Sequence, residues 1–235
     1  MNSPEERGEG LVFVVDDDEA VGRAMGRVLR AAGYEAHVFN SADAFLARSS
    51  NDRPACVVLD QRMPGLSGLE LQRAITGESA LAVVFLTGHA DVPTSVEAMK
   101  AGAVDFLTKP VDESRLLEAV RNALDRSARG HAASIERRAF LERVARLTPR
   151  ERQVGALMIQ GLLNKQIAWE LGTAEKTVKV HRARVMEKLA VGSVAELARL
   201  AERTSTLRFE PTRDRPAALA DHRPRSRRGL QVRAS

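Results

Sequence analysis

The first 125 residues alternate short apolar runs with amphipathic stretches, and this alternation restricts the fold more than any other feature of the chain. Runs at 11–15, 36–39, 56–59, 82–86 and 105–107 have the length and side-chain content of strands. Helical patterns separate them at 19–32, 42–49, 68–75, 94–101 and from 114 onward. In the first of these, Val21, Met25, Val28 and Leu29 share one face at helical spacing, and Gly33 stands where a helix end needs a left-handed residue. Five strands alternating with five helices predict a doubly wound α/β fold, a parallel sheet covered on both faces. In such sheets ligands gather at the carboxyl ends of the strands.

That rule selects a small set of residues. Asp16, Asp17 and Asp18 follow the first strand, Asp60 the third, Thr87 closes the fourth, and Lys109 follows the fifth, just before Pro110. Carboxylates crowded at one sheet edge repel unless a cation joins them, and hard oxygen ligands with spare water positions suit Mg2+. Lys109 supplies a second positive charge for phosphoryl oxygens, and the Thr87 hydroxyl can donate a hydrogen bond to another. Asp60 then has the surroundings of a carboxylate nucleophile in phosphoryl transfer.

The second half differs in charge and in pattern. Residues 1–125 hold 20 acidic and 12 basic side chains, residues 126–205 hold 8 acidic and 16 basic, and residues 206–235 hold 3 acidic and 8 arginines. An acidic half joined to a basic half points to two jobs, the basic one on nucleic acid. From 112 to 146 the chain has no Pro and one Gly, Gly130, which predicts a long, partly exposed linker helix with a candidate break at that glycine. Thr148-Pro149-Arg150-Glu151 then gives a hydroxyl cap, a first-turn proline and a glutamate three residues past the cap. Further helices are expected at 165–171, closed by Gly172, at 175–190, and from the Ser193/Glu196 capping pair. Four short helices with a tight Gly-containing turn fit a helix-turn-helix. On the third of them Val178, Val185 and Leu189 have core spacing, with His181 read as a packing or capping residue. Lys176, Lys179, Val180, Ala183 and Arg184 take the opposite face, whose small and basic side chains suit a major groove.

These motifs resemble a known family. Val14-Val15-Asp16-Asp17-Asp18, Leu59-Asp60-Gln61-Arg62-Met63-Pro64-Gly65, Leu86-Thr87-Gly88-His89-Ala90 and Thr108-Lys109-Pro110 resemble the CheY-like receiver domain, and the stretch 88–110 its FixJ-type subgroup. The segments beginning Leu147-Thr148-Pro149-Arg150-Glu151, Asn164-Lys165-Gln166-Ile167-Ala168 and Lys176-Thr177-Val178-Lys179 resemble the LuxR/NarL/FixJ helix-turn-helix. The resemblance implies a two-component response regulator: a (βα)5 receiver over 9–128, a linker helix over 129–142 and a four-helix DNA-binding domain over 143–205. Disordered segments would flank these at 1–8 and 206–235.

The resemblance also implies roles. Asp60 is the phospho-acceptor. Asp16, Asp17, Asp60 and the backbone carbonyl of Arg62 hold Mg2+, with Asp18 left out. Thr87, Lys109 and Phe106 contact or report the phosphoryl group, and the Lys109-Pro110 bond is cis. Lys179, Val180 and Ala183 lie near bases, while Lys165, Lys176, Thr177, Arg184 and Lys188 hold phosphates. The expected partners are a sensor histidine kinase, promoter DNA, a second copy of the phosphorylated chain and RNA polymerase. Two positions depart from the family pattern. Leu163 leaves Asn164 to cap its helix, and Ala174 replaces a capping Ser unless Thr173 takes over.

Other classes fit less well. One cysteine, Cys56, permits no internal disulfide framework. No apolar run reaches the roughly 20 residues of a membrane span, and the acidic start lacks the features of a secretory signal. A cytoplasmic protein is expected. A hydrolase using Asp60 as nucleophile would want a second Asp two residues on, where Arg62 stands, and a substrate cap domain, for which no segment is evident, so the chain is not expected to be an enzyme.

Overall fold

The computed structural model describes residues 10–49, 52–78, 80–88 and 92–207. Of the disorder expected at 1–8 and 206–235, all but residues 206 and 207 lies outside the described residues, as do the motif residues His89 and Ala90. The chain divides into two compact units, residues 1–140 and 141–235.

In the first unit five strands, β1 (Leu11–Val15), β2 (Glu35–Phe39), β3 (Ala55–Asp60), β4 (Leu81–Thr87) and β5 (Asp105–Thr108), form one parallel sheet in the order β2-β1-β3-β4-β5. The order reverses between β1 and β3, the switch point where a crevice opens at the strand ends. Five helices connect or follow the strands: α1 (Glu19–Ala31), α2 (Ala42–Leu46), α3 (Gly68–Ala74), α4 (Val92–Lys100) and α5 (Glu113–Ala145).

Alternation along each strand feeds two cores. Val12, Val14, Cys56, Val58, Val84 and Leu86 pack with Met25 and Leu29 of α1 and with Leu116, Val120 and Ala123 of α5. Phe13, Val15, Val57, Leu59, Val83 and Phe85 pack on the other face with Phe45 of α2, Leu71 of α3 and Ala98 of α4. Burial on both faces explains why the strands read as continuous apolar runs. Asp18 caps α1 by accepting from the Ala20 and Val21 amides at 2.8 and 3.2 Å, and Gly33 follows its end with φ +98°.

Several boundaries differ from the sequence reading. β3 extends to Asp60, which pairs with Leu86, and β4 to Thr87, which pairs with Thr108. α2 stops at Leu46 rather than 49, and α4 starts at Val92 rather than 94, since Pro93 is tolerated in a first turn. α5 runs unbroken through Gly130, so that glycine marks no break. One interior glycine costs only about 1 kcal/mol, and the flanking turns carry it.

The second unit holds α6 (Pro149–Ile159), α7 (Asn164–Glu170), α8 (Glu175–Leu189) and α9 (Val194–Thr204). Their core contains Val154, Leu157, Met158, Ile167, Val178, Val185, Leu189 and Leu197. Thr148 and Glu151 form the expected capping box, and Ser193 caps α9. Asn164 does not cap α7. Leu163 holds the cap position, and Gln166 Oε1 accepts the Leu163 amide at 2.7 Å in place of a side-chain cap. Ala174 is the cap residue of α8 and no side-chain hydrogen bond closes that end. Packing continues two residues beyond 205, with Thr206 bonded to Ala201 O and Leu207 buried.

Candidate functional site

The strand ends assemble the acidic site in the first unit. Asp16, directly after β1, is 1% exposed, and Asp60 is 8% exposed. Asp17 is exposed beside them, and carboxylate oxygens of all three lie within 4.8 Å of one another. Lys109 reaches across from the residue after β5, with Nζ 2.7 Å from Asp16 Oδ2 and 3.4 Å from Asp60 Oδ1. The Lys109-Pro110 peptide is cis. Thr87 ends β4, the strand paired with β3 at Asp60, and is buried.

Three carboxylates and one ammonium leave two negative charges in a partly buried crevice. All the donors are hard oxygens and Asp17 opens to water, so the residues fit a small divalent cation that keeps water ligands. Burial pushes the Asp60 carboxyl above its ordinary value, the charges of Asp16 and Asp17 push the same way, and Lys109 opposes them. Burial alone would lower Lys109, but its hydrogen bond and charge contact with Asp16, followed by Asp60, leave it raised and firmly cationic. Asp60 is therefore a buried carboxylate beside a fixed cation, on a strand paired with the one that ends at buried Thr87, surroundings that suit the chemistry of accepting a phosphoryl group.

Phe106, next to that site on β5, is half-buried, and its ring centroid lies 5.9 Å from that of Phe85. Arg62 is exposed in the loop after Asp60. Asp18, excluded as a ligand in the sequence reading, is occupied as the α1 cap.

Sequence reasoning missed Gly68, the first residue of α3. A Cβ there would lie 2.4 Å from the backbone oxygen of Asp60, a distance real Cβ atoms do not show, and 3.1 Å from Gln61 Cα, a tight contact. Only glycine lets α3 start against the peptide of Asp60, and the Gly68 amide donates to Gln61 O at 3.1 Å. The signal was the Ser67/Glu70 spacing, a capping box that fixes this start.

In the second unit α8 buries Val178, Val185 and Leu189 and turns Lys176, Thr177, Lys179, Val180, Ala183 and Arg184 to solvent. Val180, 46% exposed, is one of few large apolar side chains left open. Lys165 is exposed at the start of α7. Lys188 is separated from this group. Its Nζ lies 2.6 Å from Glu151 Oε2, a carboxylate only 3% exposed, and 3.5 Å from Arg146 O. His181 is partly buried, with Nδ1 enclosed, in keeping with a packing role.

Known proteins carry the same two parts. Residues 12–121 match the response regulator receiver domain and residues 145–201 the luxR family of bacterial regulatory proteins. The chain is 44% identical to the transcriptional regulatory protein FixJ of Azorhizobium caulinodans over 81% of its own length and 90% of that protein. It is 43% identical to the tetrathionate response regulatory protein TtrR of Salmonella typhimurium, over 83% of its length and 93% of that protein. The solved structure of the response regulator StyR superposes with a TM-score of 0.68 at 46% identity, covering 83% of this chain and all of that one. Fold, site and relatives together define a two-component response regulator with a receiver and a LuxR-type DNA-binding domain. Within that class the chain belongs to the FixJ-type transcriptional response regulators.

Proposed function

We propose that phosphoryl transfer to Asp60 from a partner histidine kinase controls dimerisation and promoter binding by this chain. The observation that carries this reading is the juxtaposition of Asp60 with Lys109, Asp16 and Asp17 at the sheet's switch point. An Asp60 carboxylate oxygen forms the bond to phosphorus as the phosphorus–nitrogen bond of the kinase phosphohistidine breaks, and the electron pair stays on the imidazole. Lys109 holds one phosphoryl oxygen, and Thr87 donates to another. Phe106 follows Thr87 inward. Mg2+, when bound by Asp16, Asp17, Asp60 and the Arg62 carbonyl, supplies the remaining positive charge. The chain acts as a cytoplasmic regulator rather than as an enzyme turning over small substrates.

The receiver spans 9–128, the linker 129–142 and the DNA-binding domain 143–205. On DNA, α8 enters the major groove with Lys179, Val180 and Ala183 near base edges, while Lys165, Lys176, Thr177 and Arg184 hold phosphates. Lys188 leaves the phosphate set, because moving it would strand the buried Glu151 carboxylate. Paired copies fit a two-fold operator, and RNA polymerase is the partner at the promoter.

Selection of genomic double-stranded DNA fragments by the full chain tests this reading. The phosphorylated wild type should retain a discrete set of fragments that Asp60→Asn does not. On a selected fragment, Lys176→Ala should reduce the salt slope by about one, uniformly across sequences. Equal retention by Asp60→Asn under the same treatment would contradict phosphoryl control.

A further inference from the structure

One fully buried polar side chain of the first unit lies far from the acidic site. Ser127, on α5, is 2% exposed. Its Oγ accepts the Ala55 amide at 3.0 Å and donates to the Ala80 carbonyl at 2.5 Å. That amide and carbonyl also bond to each other at 2.8 Å. Ala55 is the first residue of β3, and Ala80 immediately precedes β4. Asp60 and Thr87 close those same two strands at the opposite end.

The position along α5 is equally specific. Leu116, Ala119, Val120, Ala123 and Ser127 form the buried face of the helix, and no residue from 128 to 139 is buried. Ser127 is therefore the last grip of the sheet on α5 before the exposed linker stretch. The other buried grips are apolar and non-directional, and the polar contacts of Arg121 with Tyr34 and of Arg126 with the Ala103 carbonyl, at 3.5 Å, come from long side chains; all of these tolerate a small rotation or slide of the helix. A hydroxyl that must satisfy two angles at once does not. Over the twelve residues from 128 to 139, about 18 Å of helix, a tilt of roughly 10° at Ser127 displaces the far end by about 3 Å.

We propose that Ser127 is a positioning residue that locks the linker part of α5 to the two strands bearing Asp60 and Thr87. A shift in those strands is then delivered to the helix that leads into the DNA-binding unit. The lock is a property of the receiver alone, while its use in signalling rests on the reading of Asp60 as phospho-acceptor.

Removing the hydroxyl should leave the sheet intact, because Ala55 N–H and Ala80 O keep each other. The test places spin labels at Arg27→Cys and Arg137→Cys, both exposed and the second near the far end of the lever, in the full chain. Cys56 stays unlabelled, because it is buried and its thiol is pushed well above the ordinary value. The distance distribution should be narrow with Ser127 and wider by about 3 Å in Ser127→Ala, as the lever estimate gives. Phosphoryl uptake at Asp60 should be unchanged in the variant, since the acidic site is at the other end of the strands. An equally narrow distribution would overturn the proposal. So would broadening accompanied by loss of uptake, or failure of Ser127→Ala to fold, because each marks a merely structural role. If the wild type took up no phosphoryl group, the reading of Asp60 would fail, while the distance distribution would still judge the lock.

Discussion

Asp60 and Glu151 are both buried carboxylates facing a lysine, yet their surroundings give them opposite fates. Asp60 is raised by burial beside two further carboxylates, so its site keeps room for a positive partner. Glu151 is held below the usual carboxylate range, chiefly by its hydrogen bond with Lys188 and further by Thr148, against the effect of burial. A depressed folded value contributes stability above the unfolded carboxylate value of about 4.3, and that contribution is lost as pH falls through the folded value. Lys188→Met should therefore destabilise the second unit by about 1–3 kcal/mol at pH 7, with a much smaller difference from wild type in strong acid. Thermal melts of both proteins at the two pH values check this, and an unchanged difference would refute it. The strand-end carboxylates and Lys109 were legible because strand periodicity alone places them at one edge. The role of Lys188 was not, because a helical pattern does not say whether a boundary residue turns to solvent or back to a neighbouring helix.

At the scale of elements, helix starts carry much of the specificity. α8 begins on Ala174, whose backbone already has the extended cap conformation, φ −77° and ψ 145°, but whose side chain accepts nothing. Ala174→Ser should add about 0.5–2 kcal/mol and raise the melting temperature by a few degrees; an unchanged or lower value would mean that another group already serves that end. α3 begins on Gly68 against the Asp60 peptide. Gly68→Ala must displace either α3 or Asp60, so it should cost about 1–3 kcal/mol and lower both Mg2+ affinity and phosphoryl uptake. Calorimetric Mg2+ titration, with Ser67→Ala as an equally placed cap mutant adding no atom near Asp60, separates the steric effect from helix loss. Helix existence was legible from apolar spacing and capping pairs. The Asn164 assignment failed because Asn suits both a cap and a first turn, and Gln166 already satisfies the Leu163 amide. Gly130 failed as a break because propensity alone does not end a helix whose neighbours are strong formers.

For the whole molecule, the charge contrast and the change from strand–helix alternation to helices alone separated the two units before any coordinates. The boundary is less legible, since α5 belongs to the receiver core through Ala123 and Ser127 and then continues to Ala145 without a local signal. No helix among the described residues is long and apolar enough to cross a membrane. Central to the proposed function is acceptor chemistry at Asp60. Intact mass after incubation with a small phosphoryl donor and Mg2+, wild type beside Asp60→Asn, measures it directly. The account predicts one added phosphoryl group on the wild type and none on the variant. Equal addition to both proteins, or none to folded wild type even with its cognate kinase, would contradict it.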